Sequence, residues 1–269
     1  MPASPTPKPR TRAKASPARV KASPPKASAK PTPRKAAARP LQTELAQTAT
    51  ASPPAPTMAP LATRLPALLE LLPKTYPDAH CELVHTNPLE LLIATILSAQ
   101  CTDVQVNIVT RDLFLKYRTA KDYVAVPLEE LQHDIRRIGL FRNKARNIRA
   151  CCAALIAQHG GEVPNTMEAL HALAGVGRKT ANVVLGNAFN VNVGVVVDTH
   201  VARLSQRLGL TTQTAPDKIE KALMALVPQK HWTMLSHWLI FHGRRRCKAQ
   251  RPDCAGCELR ALCPSYPLR

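Results

Sequence analysis

The sequence predicts an all-α protein, and three observations carry that prediction. From residue 61 onward the apolar residues recur at helical spacing in roughly ten separate segments. These segments open and close on helix start and stop residues and are joined by short connections. A single strand-like stretch, VNVGVVV at residues 191–197, lies between two helical segments with nothing to pair with, so it is expected to be a buried extended connector.

ATRLPALLELLPKTYP reads as a short first helix ended by Pro73. NPLELLIATILSAQ begins with Asn87 as N-cap, Pro88 at the first helical position and Glu90 in the capping-box position, and its unbroken apolar run implies burial on most sides. TDVQVNIVTRDLFLKY follows, with Thr102 as cap. PLEELQHDIRRIG is amphipathic and is expected to stop at Gly139; NKARNIRACCAALIAQHGG should start at Asn143 and end at its paired glycines. TMEALHAL, RKTANVVLGNAF, THVARLSQRLGL, PDKIEKALMALVP and HWTMLSHWLIFHGRRRC complete the set.

Residues 1–60 differ from the rest. They hold 14 of the 25 prolines, 11 Lys or Arg, one acid (Glu44) and no aromatic residue. Such a segment cannot bury enough apolar surface to offset its chain entropy and is expected to be disordered, serving as a basic arm. The whole chain carries a formal charge of +19, which points to a polyanionic partner, nucleic acid before membrane. No apolar run is long enough to span a bilayer. Cys81, Cys101, Cys151 and Cys152 are scattered through helical patterns and read as buried free thiols in a reducing compartment.

Two motifs carry chemistry. Cys247, Cys254, Cys257 and Cys263 are spaced C-x6-C-x2-C-x5-C, enough thiolates for one metal centre, either zinc or an iron–sulfur cluster. The segment is crowded with Arg244, Arg245, Arg246, Lys248 and Arg251, placed to meet phosphates or to form a solvated basic rim. The second motif is LHALAGVGRKTANVVLGNAF, in which Gly175-Val176-Gly177 joins two helices. The glycines permit a tight turn, and the N–H groups of the new helix start form a site for a phosphate oxygen, with Arg178, Lys179 and Thr180 beside it. That pattern reads as a helix–hairpin–helix.

In order along the chain, LLIATILSAQCTDVQVN, IGLFRNKARNI, AGVGRKTANVVLGNAF, VDTHVARLSQRLGL and the four-cysteine loop resemble the endonuclease III family of DNA glycosylase/AP lyases, over nearly all of residues 61–269. Ala174, where the family usually has Pro, and a connector one residue longer between Phe189 and Asp198 are departures. The resemblance implies two helical subdomains flanking a DNA-binding cleft. A helix bundle with the hairpin would occupy 81–192, and residues 61–80 with 193–269 would form an iron–sulfur cluster subdomain.

The resemblance further implies that Lys179 is the nucleophile and Asp198 its acidic partner. A nucleophilic lysine must be neutral, and the helix start, Arg178 and loss of water would all disfavour its ammonium form. Asp198 also stands where an N-cap belongs, and His200 reads as a packed or orienting residue. Gln100 and Leu140 correspond to the residues that fill the stack once a nucleotide is extruded. The four cysteines would hold a [4Fe–4S] cluster. The implied partner is double-stranded DNA with oxidised pyrimidines or abasic sites, bound by a monomer. The expected place is the cytoplasm and nucleoid of a bacterium, or the nucleus or mitochondrion of a eukaryote. The rivals are an adenine-mismatch glycosylase, which lacks the hairpin lysine, and a non-catalytic DNA-binding protein with a zinc loop.

Overall fold

The computed structural model describes residues 58–268; the basic segment expected to be disordered lies almost wholly outside them. The described residues form eleven α-helices and two short 3-10 turns, with no strand among them. Residues 191–197 are neither helix nor strand, and Val195 and Val196 are buried.

The helices build two cores. The first holds α2 (Pro88–Ser98), α3 (Asp103–Lys116), α4 (Ala120–Ala125), α5 (Leu128–Asp134), α6 (Phe141–His159), α7 (Met167–His171) and α8 (Arg178–Ala188). Its centre is α2, where all seven residues from Leu91 to Leu97 are buried. The second core joins α1 (Leu61–Thr75) to α9 (Thr199–Arg207), α10 (Pro216–Leu226) and α11 (Trp232–Arg245). The chain therefore starts in one core, completes the other, and returns. Helix α11 packs on α9 within its own core and touches α8 of the other.

Several helix limits differ from expectation. Helix α1 passes Pro73 and runs to Thr75, and the N–H of Tyr76 still reaches the Leu72 carbonyl at 2.9 Å. Helix α4 follows a complete Thr119/Asp122 capping box that went unassigned in the sequence. Helix α5 ends at Asp134, before Gly139; the chain turns there so that Ile135 and Ile138 can both enter the core. Helix α6 starts at Phe141, two residues before Asn143.

Candidate functional site

Helices α7 and α8 are joined by the glycine turn. Gly175 has φ +78°, and a Cβ there would lie 3.0 Å from the Asn147 side chain, so both backbone and space require glycine. Gly177 needs no positive φ; it is the extended N-cap of α8 and supplies no side-chain cap. Val176 is buried and anchors the turn. The first amides of α8 are thus left without a side-chain acceptor from the cap, at a surface where Gly177, Arg178 and Lys179 are exposed and Thr180 is half-buried.

Arg178 is held at one edge by a carboxylate. Its Nε donates to Glu220 Oε2 at 3.0 Å, and the other Glu220 oxygen accepts from Asn182 Nδ2 at 2.8 Å. Glu220 belongs to α10 and is buried, so this pair ties the start of α8 to the second core. Sequence reading missed Glu220, which stands among other helical acids and lysines. It also treated Arg178 as an uncompensated charge beside Lys179; the Glu220 carboxylate offsets that charge.

Asp198 caps α9, its Oδ1 accepting from the Val201 N–H at 2.7 Å. His200 packs against α11, where a Cβ on Gly243 would lie 2.8 Å from His200 Nδ1. Arg203 Nη2 lies 3.2 Å from that Nδ1, and arginine has only donors, so Nδ1 accepts and is occupied. A third carboxylate joins the group. Asp103, the first residue of α3, is half-buried; burial and then the negative charge of Asp198 raise its carboxyl above the ordinary range, while Lys179 and His200 pull it down. Arg244 from α11 supplies a direct countercharge, donating from Nη2 to Asp103 Oδ2 at 2.7 Å and also contacting Glu82. Lys179, Asp198, His200 and Asp103 therefore share one electrostatic neighbourhood between the cores.

Gln100 and Leu140 share a backbone peculiarity. Both are exposed, and both adopt the left-handed conformation, at φ +55° and +59°. For a residue with a Cβ this costs on the order of 1–2 kcal/mol. The two turns are neighbours: a Cβ on Gly139 would stand 3.9 Å from the Gln100 carbonyl oxygen.

All four C-terminal cysteines line one cavity, together with Arg207 and His242. None of the eight cysteines is in a disulfide; Cys151 and Cys152 are buried, but Cys81 and Cys101 are only half-buried. Arg207 Nη1 donates to Cys247 Sγ at 3.2 Å and to the Lys248 carbonyl at 2.7 Å, and Nη2 donates to the Ala249 carbonyl at 3.0 Å. Burial pushes the Cys257 thiol up to about 11, so a thiolate there needs a bound metal or cluster as countercharge. Sulfurs around one tetrahedral zinc stand about 3.8 Å apart. Here no three of the four sulfurs lie within 4.8 Å of one another; among the described residues only His242, Cys257 and Glu258 form so tight a trio. The four thiols as they stand therefore do not have the spacing of one tetrahedral zinc site.

The arginine run beside this cavity is largely engaged. Arg245 pairs with Asp78 at 2.5 Å, and Arg246 bridges Asp253 and Glu258 at 2.9 Å each. Lys248 and Arg251 remain exposed with no carboxylate partner among the described residues, and Arg251 has φ +51°.

Comparison with known proteins follows the same residues. The HhH-GPD superfamily of base excision DNA repair proteins matches residues 93–229. Endonuclease III of Bacillus subtilis (strain 168) is 53% identical over 196 residues, 72% of this chain and 89% of that protein. A solved non-covalent endonuclease III–DNA complex is 55% identical, with a TM-score of 0.71 over 75% of this chain and 94% of that one. A trapped endonuclease III–DNA covalent intermediate matches at the same identity and TM-score, over 75% and 95%.

Proposed function

The chain belongs to the endonuclease III family and is a bifunctional glycosylase/lyase of base-excision repair, and from that premise we propose that Lys179 is its nucleophile and Asp198 the carboxylate that serves it. The observation that carries this reading is that Asp103 feels the charges of both an exposed lysine, in the first turn of an uncapped helix, and the cap carboxylate of a helix from the other core. The α8 amides offer a seat for a backbone phosphate, which would bring the sugar to Lys179.

In the proposed reaction a damaged nucleotide leaves the duplex and enters the space between the cores. Asp198 stabilises positive charge growing on the sugar as the glycosidic bond breaks. The neutral Lys179 amine bonds to C1′, the base departs with a proton, and ring opening gives an iminium. That cation acidifies the C2′ hydrogen. Its removal expels the 3′ phosphate, which breaks the strand on that side. Lys179 must shed its proton first; Asp103, whose carboxyl feels the charges of Lys179 and Asp198, and Asp198 itself are the carboxylates proposed to accept or relay it. Gln100 and Leu140 fill the space left in the stack. Lys248 and Arg251 contact flanking phosphates.

Cys247, Cys254, Cys257 and Cys263 would hold a [4Fe–4S] cluster, whose contribution when bound is to fix the fold of the basic loop. The gathering of the four thiols on one cavity and the Arg207 strut support that reading. Oxidised pyrimidines are the proposed lesion class.

Borohydride reduction tests the nucleophile. Incubation with a thymine-glycol or abasic duplex, followed by reduction, should yield one covalent protein–DNA adduct in the wild type. Lys179→Ala should yield none while still binding the duplex. An adduct that persists in the variant would reassign the nucleophile.

A further inference from the structure

Lys144 is a buried cation that the reaction does not use. It lies in the first turn of α6 and is only 4% exposed, yet no carboxylate lies within ion-pair distance among the described residues. A cation at that position is poorly placed for the dipole of its own helix. Its ammonium instead reaches α2, donating to the Leu97 carbonyl at 2.9 Å and the Ala99 carbonyl at 2.5 Å. Those oxygens end α2 and have no helical N–H to pair with. The residue after Ala99 is Gln100, and four residues before Lys144 stands Leu140, both left-handed and exposed. One buried side chain thus fastens the turn that presents Gln100 to the helix start that presents Leu140.

From this we infer that Lys144 is a positioning residue for base extrusion: it locks the Gln100 and Leu140 turns into one preformed wedge. The inference rests on the proposal that those two residues fill the stack. A preformed wedge enters DNA without ordering two loops during binding. Hydrogen bonds to the carbonyls also keep the end of α2 from unwinding, which would let Gln100 relax out of its left-handed conformation.

The test is a double-mutant cycle with a duplex that carries 2-aminopurine beside the lesion, its fluorescence rise reporting extrusion. Lys144→Met keeps the length of the chain and removes the donors; it should slow the rise about tenfold, as Leu140→Ala should. Added to Leu140→Ala it should slow the step less than about twofold further, because the wedge is already lost. Borohydride trapping on a single-stranded abasic site, where no stack must open, should be unchanged. Lys144→Gln, which keeps an N–H donor, should recover part of the rate, and it carries the cycle if Lys144→Met does not fold. Independent, multiplying losses from Lys144 and Leu140 would mean that the lysine only supports the core, and would overturn the inference. A slow Leu140→Ala beside a wild-type-like Lys144→Met would do the same. If neither Leu140→Ala nor Gln100→Ala slows extrusion, the wedge reading itself falls, and the role of Lys144 falls with it.

Discussion

Lys179 and Asp198 enter the site from the starts of two helices, and the two starts are built differently. Gly177 leaves α8 uncapped, whereas the Asp198 carboxylate caps α9. In the proposed mechanism cap and reacting group are one side chain, and a substitution can separate them. Asparagine caps helices about as well as aspartate, so Asp198→Asn keeps the bond to Val201 and loses only the charge. The variant should melt within a degree or two of the wild type and bind DNA, with turnover lower by about 10²-fold or more. Normal turnover would leave Asp198 only its capping role. Asp103 shows what the sequence hides at this scale. It reads there as an ordinary acid in the first turn of a helix. Its reach to the charge of Lys179 accompanies a contact that sequence does not show, α3 meeting Arg244 of α11, 141 residues later in the chain.

At the scale of elements, helices whose cap precedes a long apolar run were legible, while short α4 behind its Thr119/Asp122 box and helices ended by packing were not. Asn87 and Thr102 cap α2 and α3 where expected, accepting from Glu90 and Gln105. Helix α5 gave no warning of its end at Asp134, because burial of Ile135 and Ile138 decides it and not a stop residue. The start of α6 was misjudged for a related reason: Leu140 offers no capping side chain and sits in a conformation that leucine disfavours. Gly186 repeats the point within a helix. In isolation, glycine to alanine inside a helix gains about 1 kcal/mol. Here a Cβ would lie 2.4 Å from Thr233 Oγ1, 2.8 Å from its Cγ2 and 3.2 Å from its Cβ, so no rotation of Thr233 clears it. Overpacking of this kind costs about 1–3 kcal/mol and outweighs the propensity gain. Gly186→Ala should therefore lower stability in a denaturant titration; a more stable variant would show that α8 and α11 can move apart freely.

The whole molecule is two cores held together in part by polar ties. Arg178 meets Glu220, Arg244 meets Asp103 and Glu82, and His237 of α11 meets Asn187 of α8. The last tie has a defined proton. Asn187 Nδ2 donates to the Val183 carbonyl, which turns its Oδ1 toward His237; the ring must therefore donate from Nε2, at 2.7 Å. Burial, and then the charge of His80, lowers the His237 pKa from 6.5 to about 4. An unfolded chain would bind a proton near pH 6.5, while the folded one resists until about pH 4. Stability from this residue is therefore complete above about pH 6.5 and is lost as the pH falls toward 4. By pH 5 the loss is on the order of 2 kcal/mol for one such histidine. His237→Gln keeps an N–H donor for Asn187 and cannot titrate. Denaturant titrations from pH 7.5 to 5 should show the variant losing less stability than the wild type, by on the order of 2 kcal/mol. Parallel curves for the two proteins would mean that the ring already carries its proton in the fold, and that this contact between the cores is not the acid-sensitive one.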